Sequence, residues 1–405
     1  MTLVVQKYGG SSLSNAYRIK HVAERVVNVW KSGKQVVVVV SAMGDTTDNL
    51  IALASEISVK HEPRELDLLL SSGELVSSAL LTMAIRSLGS DAVSLTGIQA
   101  GIHTDTSYGR ARISRVDSAR VSQEISENKI VVVAGFQGVN QYFDVTTLGR
   151  GGSDTSAVAL AVALNAERCE VYTDVEGIYT ADPRIVKNAR KIDTITFEEM
   201  LELAAYGAKM HPRSIELAAA NDMPIYVASS FNSTSGTLIY GDITMMEHSV
   251  KVTGVAYDRN VAKITLRGVQ DQPGIAANLF EPLASSGISV DTIVQNASID
   301  GFTDLSFTVI GSQLDDVVSQ IESLKGDVGH VEIVTDKNLA KISIVGAGML
   351  DAPGYASRMF RALADASINI EMITTSEIRI TCIISEDTVS VAVKVLHEAF
   401  GLETP

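Results

Sequence analysis

The chain repeats itself in its last third, and that repeat narrows its architecture more than any other feature. Residues 262–266 read AKITL and residues 340–344 read AKISI; Asp271–Gly274 (DQPG) returns as Asp351–Gly354 (DAPG). Beyond that turn an offset of 80 aligns Ala276 with Ala356, Phe280 with Phe360, Leu283 with Leu363, Ile288 with Ile368 and Ile293 with Ile373. Each copy reads strand, Pro-Gly turn, amphipathic helix, strand, then a further strand and helix. That order suits a split βαβ, ferredoxin-like module, and two copies are too few for a solenoid, so they form a pseudo-symmetric pair. Pro282 lies in the first helix without a counterpart in the second and should kink or shorten it.

The first 240 residues follow a different rule. Val4 and Val5 precede an amphipathic stretch, Ile19 to Trp30. Five consecutive valines, Val36 to Val40, precede Leu50 to Val59. Ile130 to Ala134 and Glu170 to Thr173 read as further strands, and Thr155 to Leu164 as a helix of small residues packed on a sheet. Unbroken β-branched runs alternating with helical patterns indicate an α/β sheet covered on both faces. Gly241 to Lys251, polar and carrying Met245 and Met246, reads as the linker. The expected domains are therefore 1–240, a linker 241–251, and two modules at 252–335 and 336–405, between which strands can exchange.

Composition removes several function classes. With 33 Lys and Arg against 48 Asp and Glu, the net charge is −15, which repels a phosphate backbone and argues against a nucleic-acid partner. Cys169 and Cys382 stand far apart with no CxxC or CxxH neighbour, so neither a disulfide scaffold nor a zinc site is expected. No signal peptide is visible, and unbroken apolar runs such as Ala157–Leu164 fall short of membrane-spanning length. A cytoplasmic protein without a membrane partner is the expectation.

Several motifs carry chemistry. Lys7-Tyr8-Gly9-Gly10-Ser11-Ser12 follows the first strand. Glycines there let backbone N–H groups approach a phosphate, and a lysine at the strand tip adds a charge for transferring phosphoryl oxygens. It is neither a Walker loop nor a GxGxxG fingerprint. Gly149 to Ala157 (GRGGSDTSA) opens the small-residue helix; Gly151, Gly152 and a capping Ser153 or Asp154 make an anion cradle, beside which Arg150 could clamp a carboxylate. Thr173 to Arg184 (TDVEGIYTADPR) is a turn-rich loop whose Asp174, Tyr179 and Arg184 could hold a nucleotide. Ser41 with nearby Thr47, Ser72-Gly73-Glu74, and Lys209 complete the set. Glu74 could pair with a ligand ammonium; Lys209 is a second phosphate lysine; His211, before a proline, reads as a turn residue.

In this order the segments Lys7–Ser12, Ser41–Leu50, Ser72–Glu74, Gly149–Ala157, Thr173–Arg184 and Gly207–Pro212 resemble the aspartate kinases of the amino-acid kinase family. The C-terminal pair resembles tandem ACT domains, which bind small amino acids. The resemblance implies a three-layer αβα, carbamate kinase-like domain followed by two ferredoxin-like ACT domains. It also implies phosphorylation of the L-aspartate side-chain carboxylate by MgATP to 4-phospho-L-aspartate, on the route to lysine, threonine and methionine. The length points to the monofunctional type.

By position, Lys7 and Asp154 would be catalytic. Ser41, Thr47, Glu74, Arg150, Gly151, Gly152 and Ser153 would bind substrate. ATP would meet Lys7, Gly9, Gly10, Ser11, Thr173, Asp174, Tyr179, Arg184 and Lys209. Magnesium would be held mainly by the nucleotide, with no separate protein metal site. Such a transfer needs positioning and charge neutralisation rather than a strong base, because the acceptor carboxylate is already ionised at neutral pH.

In the repeat, Asp271, Gly274, Ile275, Ala276 and Asn278 at the first Pro-Gly turn, with Gln295 and Asn296, form the richer candidate effector site; Asp351 and Asn369 belong to the second. Lysine, threonine or both are the expected inhibitors. A homodimer or higher oligomer, formed largely through residues 250–405, and a small regulatory subunit started near Met245 or Met246 are the expected assemblies. Two alternatives stand beside this reading: a kinase of glutamate, acetylglutamate, UMP or carbamate, and a metabolite-binding regulator with a dead kinase fold. Intact Lys7, Arg150, Asp154 and Lys209 weigh against the second.

Overall fold

The computed structural model describes residues 2–205, 210–241, 252–297, 301–324, 331–347, 349 and 353–404. The chain divides into two compact units, Met1–Tyr179 with Lys191–Glu247, and Thr180–Arg190 with His248–Pro405. Lys209, Asp351, Met245 and Met246 lie outside the described residues.

The first unit begins β1 (Leu3–Tyr8), α1 (Ala16–Lys31), β2 (Gln35–Val40), α2 (Thr46–Ile57), α3 (Pro63–Ser87), β3 (Ala92–Leu95), β4 (Ile102–Thr104) and β5 (Ile113–Val116). It continues with α4 (Ala119–Ser126), β6 (Ile130–Ala134), β7 (Gln137–Val139), β8 (Val145–Thr147), α5 (Gly152–Ala163) and β9 (Arg168–Thr173). Then come β10 (Thr194–Thr196), α6 (Phe197–Ala205), α7 (Pro212–Ala219), β11 (Ile225–Ser229) and β12 (Thr237–Tyr240). Among the described residues its main sheet has eight strands in the order β10-β12-β11-β9-β1-β2-β6-β3. All pairings are parallel except β11 with β12.

The valine run has a simple cause. Val36, Val38 and Val40 pack with Val22, Ala23 and Val26 of α1 and Leu81 and Ile85 of α3. The alternate residues Val37 and Val39 are equally buried on the face that α5 covers. A strand buried on both faces has no polar position, so it reads as one apolar run rather than an alternation. A smaller sheet, β5-β4-β7-β8, lies in the same unit. Helix α3 is long and apolar enough to cross a membrane by length and composition, but half of that stretch is buried inside the protein. A search for unbroken apolar runs passes over it because Asp67 and Glu74 interrupt it.

The second unit contains β13 (Gly254–Gln270), α8 (Ile275–Ser285), β14 (Ile293–Gln295), β15 (Phe302–Ile310), α9 (Leu314–Ser323) and β16 (Glu332–Val345). It ends with α10 (Tyr355–Asp365), β17 (Met372–Thr375), β18 (Arg379–Ser385) and α11 (Val389–Ala399). The two repeats share one six-stranded antiparallel sheet, β14-β15-β13-β16-β18-β17. The second half of β13 pairs with β15, as the first module requires. Its first half, Gly254–Asp258, pairs instead with Lys341–Val345 and supplies the fourth strand of the second module. The pseudo-symmetry extends to charge. Lys341 of the second copy contacts Asp291 of the first, and Lys263 of the first lies 3.7 Å from Glu371 of the second.

Two expectations need correction. Helix α8 runs through Pro282 to Ser285 and, at 11 residues, is as long as α10, so Pro282 does not shorten it; a proline near a helix end removes one hydrogen bond without ending the helix there. Residues Thr180–Arg190, read from the sequence as part of the first 240, belong to the second unit. Ala181 and Val186 are buried with Ile342, Leu363 and Leu396 in its core. Thr180 Oγ1 lies 2.9 Å from His397 Nε2. Both cysteines are buried and unpaired.

Candidate active site

The site gathers at the C-terminal ends of adjacent parallel strands, where open α/β sheets place ligands. After β1, Ser41 N donates to Tyr8 O at 3.1 Å and Gly44 N to Gly10 O at 3.0 Å. A Cβ on Gly10 would stand 2.8 Å from Ala42 O, so only glycine lets the loops after β1 and β2 touch. From α3, Gly73 makes a similar approach, since its added Cβ would lie 2.8 Å from that of Ala42. Ser72, Gly73 and Glu74 thus sit in the middle of a 25-residue helix pressed against the Ser41 loop. After β6, Gly135 N donates to Val40 O at 3.0 Å, and a Cβ on Gly135 would meet Ser153 Cβ at 3.1 Å.

Two charged features occupy this convergence. Lys7 Nζ lies 2.6 Å from Asp154 Oδ1, with both side chains mostly buried. Asp154 stands in the first turn of α5, whose N-terminal residue before the helix, Gly151, is left-handed at φ 70°. Helix N-termini favour negative charge, so that turn suits both Asp154 and an incoming anion. Glu74 is 3% exposed. Its Oε1 accepts from Ala42 N at 3.0 Å, while its Oε2 is buried without a hydrogen-bond partner among the described residues. Burial pushes the Glu74 carboxyl up to about 7, against the pull of the Ala42 N–H. A buried oxygen of this kind is costly unless a cation or donor meets it.

The nucleotide candidates are only partly assembled. Gly9 N donates to Tyr172 O at 3.2 Å, which sets the Gly9–Ser11 turn beside Thr173 at the end of β9. Thr173 Oγ1 donates to Asp174 Oδ1 at 3.0 Å, and Tyr179 OH to Glu176 Oε2 at 3.3 Å. Thr47 lies in the first turn of α2. Arg150 is exposed on the loop before α5 and has no hydrogen-bond or ion-pair partner among the described residues. Arg184 belongs to the second unit and forks onto Asp182, with Nη2 2.6 Å from Oδ2. Among the described residues no cluster of three or more His, Cys, Asp or Glu could hold a metal.

In the second unit, Gly274 is left-handed at φ 94° and opens α8, placing Ile275, Ala276 and Asn278 in its first turn. Asp271 N donates to Gly301 O at 2.9 Å, and Asn296 N to Asp304 O at 3.2 Å. The Pro-Gly turn therefore lies beside the β14–β15 hairpin that carries Gln295 and Asn296. In the second copy Asn369 Nδ2 donates to Glu371 Oε1 at 2.8 Å.

Sequence reading passed over two residues that shape the site. Asp67 is 1% exposed and accepts from Gly109 N at 3.0 Å, Thr147 N at 2.8 Å and Thr147 Oγ1 at 2.6 Å. An acid inside the apolar run Leu66–Leu70 was its signal. Phe136 is left-handed at φ 67°, with its N–H donating to Ser156 Oγ at 3.1 Å; nothing in the sequence marks a bulky residue for that conformation.

Comparison with known proteins agrees with this geometry. The pattern of the amino acid kinase family matches residues 2–229, and ACT domain patterns match residues 264–326 and 342–400. The chain belongs to the amino acid kinase family, with two ACT domains after the kinase. Within that family it falls among the aspartokinases. The aspartokinase of Mycolicibacterium smegmatis is 51% identical over 408 residues, covering 99% of this chain and 97% of the relative. The crystal structure of Escherichia coli aspartokinase III with aspartate and ADP (R-state) superimposes with a TM-score of 0.81 at 27% identity, covering 98% of this chain and 100% of that one. The same enzyme with lysine and aspartate (T-state) gives 0.75 at 26% identity, covering 98% and 99%.

Proposed function

We propose that this chain transfers the γ-phosphoryl group of ATP to the side-chain carboxylate of L-aspartate, forming 4-phospho-L-aspartate, and that its ACT pair lowers this activity when lysine, threonine or both accumulate. The observation that carries the reading is Glu74, a buried carboxylate with one oxygen unpartnered among the described residues, on the helix pressed against the Ser41 loop, in the same convergence of strand ends as the Lys7–Asp154 pair. An α-ammonium is the group such an oxygen accepts. Arg150 takes the α-carboxylate as a fork. That orientation presents the substrate's side-chain carboxylate toward Lys7, whose charge neutralises the oxygens of the group in transfer. Asp154 holds Lys7 in place and does not itself take a proton.

Magnesium, a hard cation that prefers oxygen donors and keeps much of its water, comes with the nucleotide and is held by its phosphates. Gly9, Gly10, Ser11, Thr173, Asp174, Tyr179 and Lys209 receive the nucleotide. Arg184 is a further candidate for the nucleotide's phosphates. Support for the lysine arm comes from the T-state relative, whose structure contains lysine and aspartate. The deciding assay measures ADP release by the purified chain with aspartate, glutamate, acetylglutamate and UMP in parallel. Turnover with aspartate alone is expected; preference for any other acceptor overturns the assignment.

A further inference from the structure

The loop that presents Arg150 is gripped at both ends by a turn that the proposed mechanism does not use. Arg213, in the first turn of α7, donates from Nη1 to Leu148 O at 2.8 Å and from Nη2 to Ala111 O at 2.6 Å. Leu148 is the residue before Gly149 and is 2% exposed. At the other end of the loop, a Cβ on Gly151 would stand 2.4 Å from His211 Cβ, so the His211 side chain lies directly against the left-handed residue. His211 is itself fixed as the cap of α7, accepting from Arg213 N at 3.3 Å through Nδ1. Gly149 and Arg150 are the residues between these two contacts.

The way Arg213 is satisfied is unusual for a half-buried cation. It forms no ion pair among the described residues, and both groups its guanidinium donates to are backbone carbonyls. Burial pulls its pKa down, and the nearby Arg112 adds to that, while Asp105 and Glu216 oppose it. A guanidinium placed there without a carboxylate loses hydration for weaker partners. What the arrangement gains is geometry: a rigid fork joins the ends of two separate loops. Catalytic arginines need this, because an error of about 1 Å in a clamping group costs on the order of a hundredfold.

We propose that Arg213 is a positioning residue for the aspartate-binding loop, fixing Arg150 through Leu148 while His211 fixes it through Gly151. This rests on the aspartate reading above. The test compares wild type, Arg213→Ala and Arg213→Lys in full-length protein, by steady-state kinetics with each substrate varied and by thermal melting. Losing two hydrogen bonds from a charged donor should raise the KM for aspartate by on the order of ten- to a hundredfold. The KM for ATP should stay within about twofold, because the residues proposed for the nucleotide, Lys209 apart, lie after β1 and β9 and do not touch Arg213. Millimolar guanidinium should restore aspartate affinity to the alanine variant and do nothing for wild type; a purely structural loss would not respond so. If the alanine variant fails to fold, the lysine variant, which keeps charge and stem but not the fork, carries the same expectation. Wild-type aspartate KM in a folded variant, or an equal rise in both KM values, overturns the assignment. A wild type that turns over another acceptor but not aspartate refutes the substrate reading instead, and is recognised before any variant is examined.

Discussion

Replacing Glu74 by glutamine isolates one charge without changing shape. The amide oxygen can still accept from Ala42 N, so the contact that ties α3 to the Ser41 loop survives. The size of the effect follows from burial. The Glu74 carboxyl titrates at about 7 in the folded chain, well above its unfolded range. The folded state therefore holds this proton more tightly than the unfolded one. The stability this gives is fully present below the unfolded pKa and is lost as pH rises through about 7, a loss of roughly 3 kcal/mol.

An ammonium beside Oε2 favours the charged form and returns much of that energy, but only to a ligand that carries one. The Glu74→Gln enzyme forgoes this return, so its kcat/KM for aspartate should fall by about a hundredfold, with the KM for ATP little changed. The pH dependence has a definite sign. For wild type, kcat/KM for aspartate should fall as pH drops below about 7, approaching tenfold per pH unit, because the protonated carboxyl no longer attracts an ammonium. Above 7 it should level off. The variant should show no such limb. The assay is initial-rate ADP release at subsaturating aspartate from pH 5.5 to 8.5. A variant with wild-type efficiency, or one that keeps the acid limb, refutes the reasoning.

Lys7→Ala should reduce kcat by on the order of 10²–10³ while the circular dichroism spectrum stays that of the folded protein; near-normal turnover would remove Lys7 from the site. Lysine, threonine or the two together should inhibit the full-length enzyme, and Asp271→Ala or Gln295→Ala should blunt that response. If no combination inhibits, the ACT pair is not the sensor; if both variants respond normally, the site lies elsewhere, and Asn369 of the second copy is the next place to look. Gly151→Ala should cost roughly 1–3 kcal/mol, visible as a lower melting temperature, because it puts a side chain into both a left-handed backbone and the His211 ring; an unchanged melting curve would mean the loop shifts freely.

Much of this was legible because local pattern and long-range structure coincide. The valine run announced a strand buried on both faces, and the Gly-rich segments after β1 and before α5 did prove to meet, through Lys7 and Asp154. The repeat disclosed two modules because its turns and apolar positions are spaced alike. Exchange of strands between the modules was an expectation; what sequence hid was which strand does it. A run such as Gly254–Gln270 shows that a strand exists but not that its halves serve different modules. Arg184 reads as a phosphate ligand because its neighbours in sequence are candidate site residues, but its fork onto Asp182, two residues away, does not show in the sequence. Glu74 could be read as a partner for an ammonium but not as a buried acid, since neither the helix around it nor the close approach at Gly73 shows without the partner loop.

The divided strand sets an order of events during synthesis. Gly254–Asp258 leaves the ribosome ahead of the whole first module, but its partner Lys341–Val345 follows only after that module is made. Until then the first half of β13 is an exposed edge, open to any other strand that reaches it, and the second module can close only by reaching back across its neighbour. A regulatory fragment translated separately must therefore begin upstream of Gly254. Begun later, it would have both Pro-Gly turns of the sequence and still lack the strand that completes its last module.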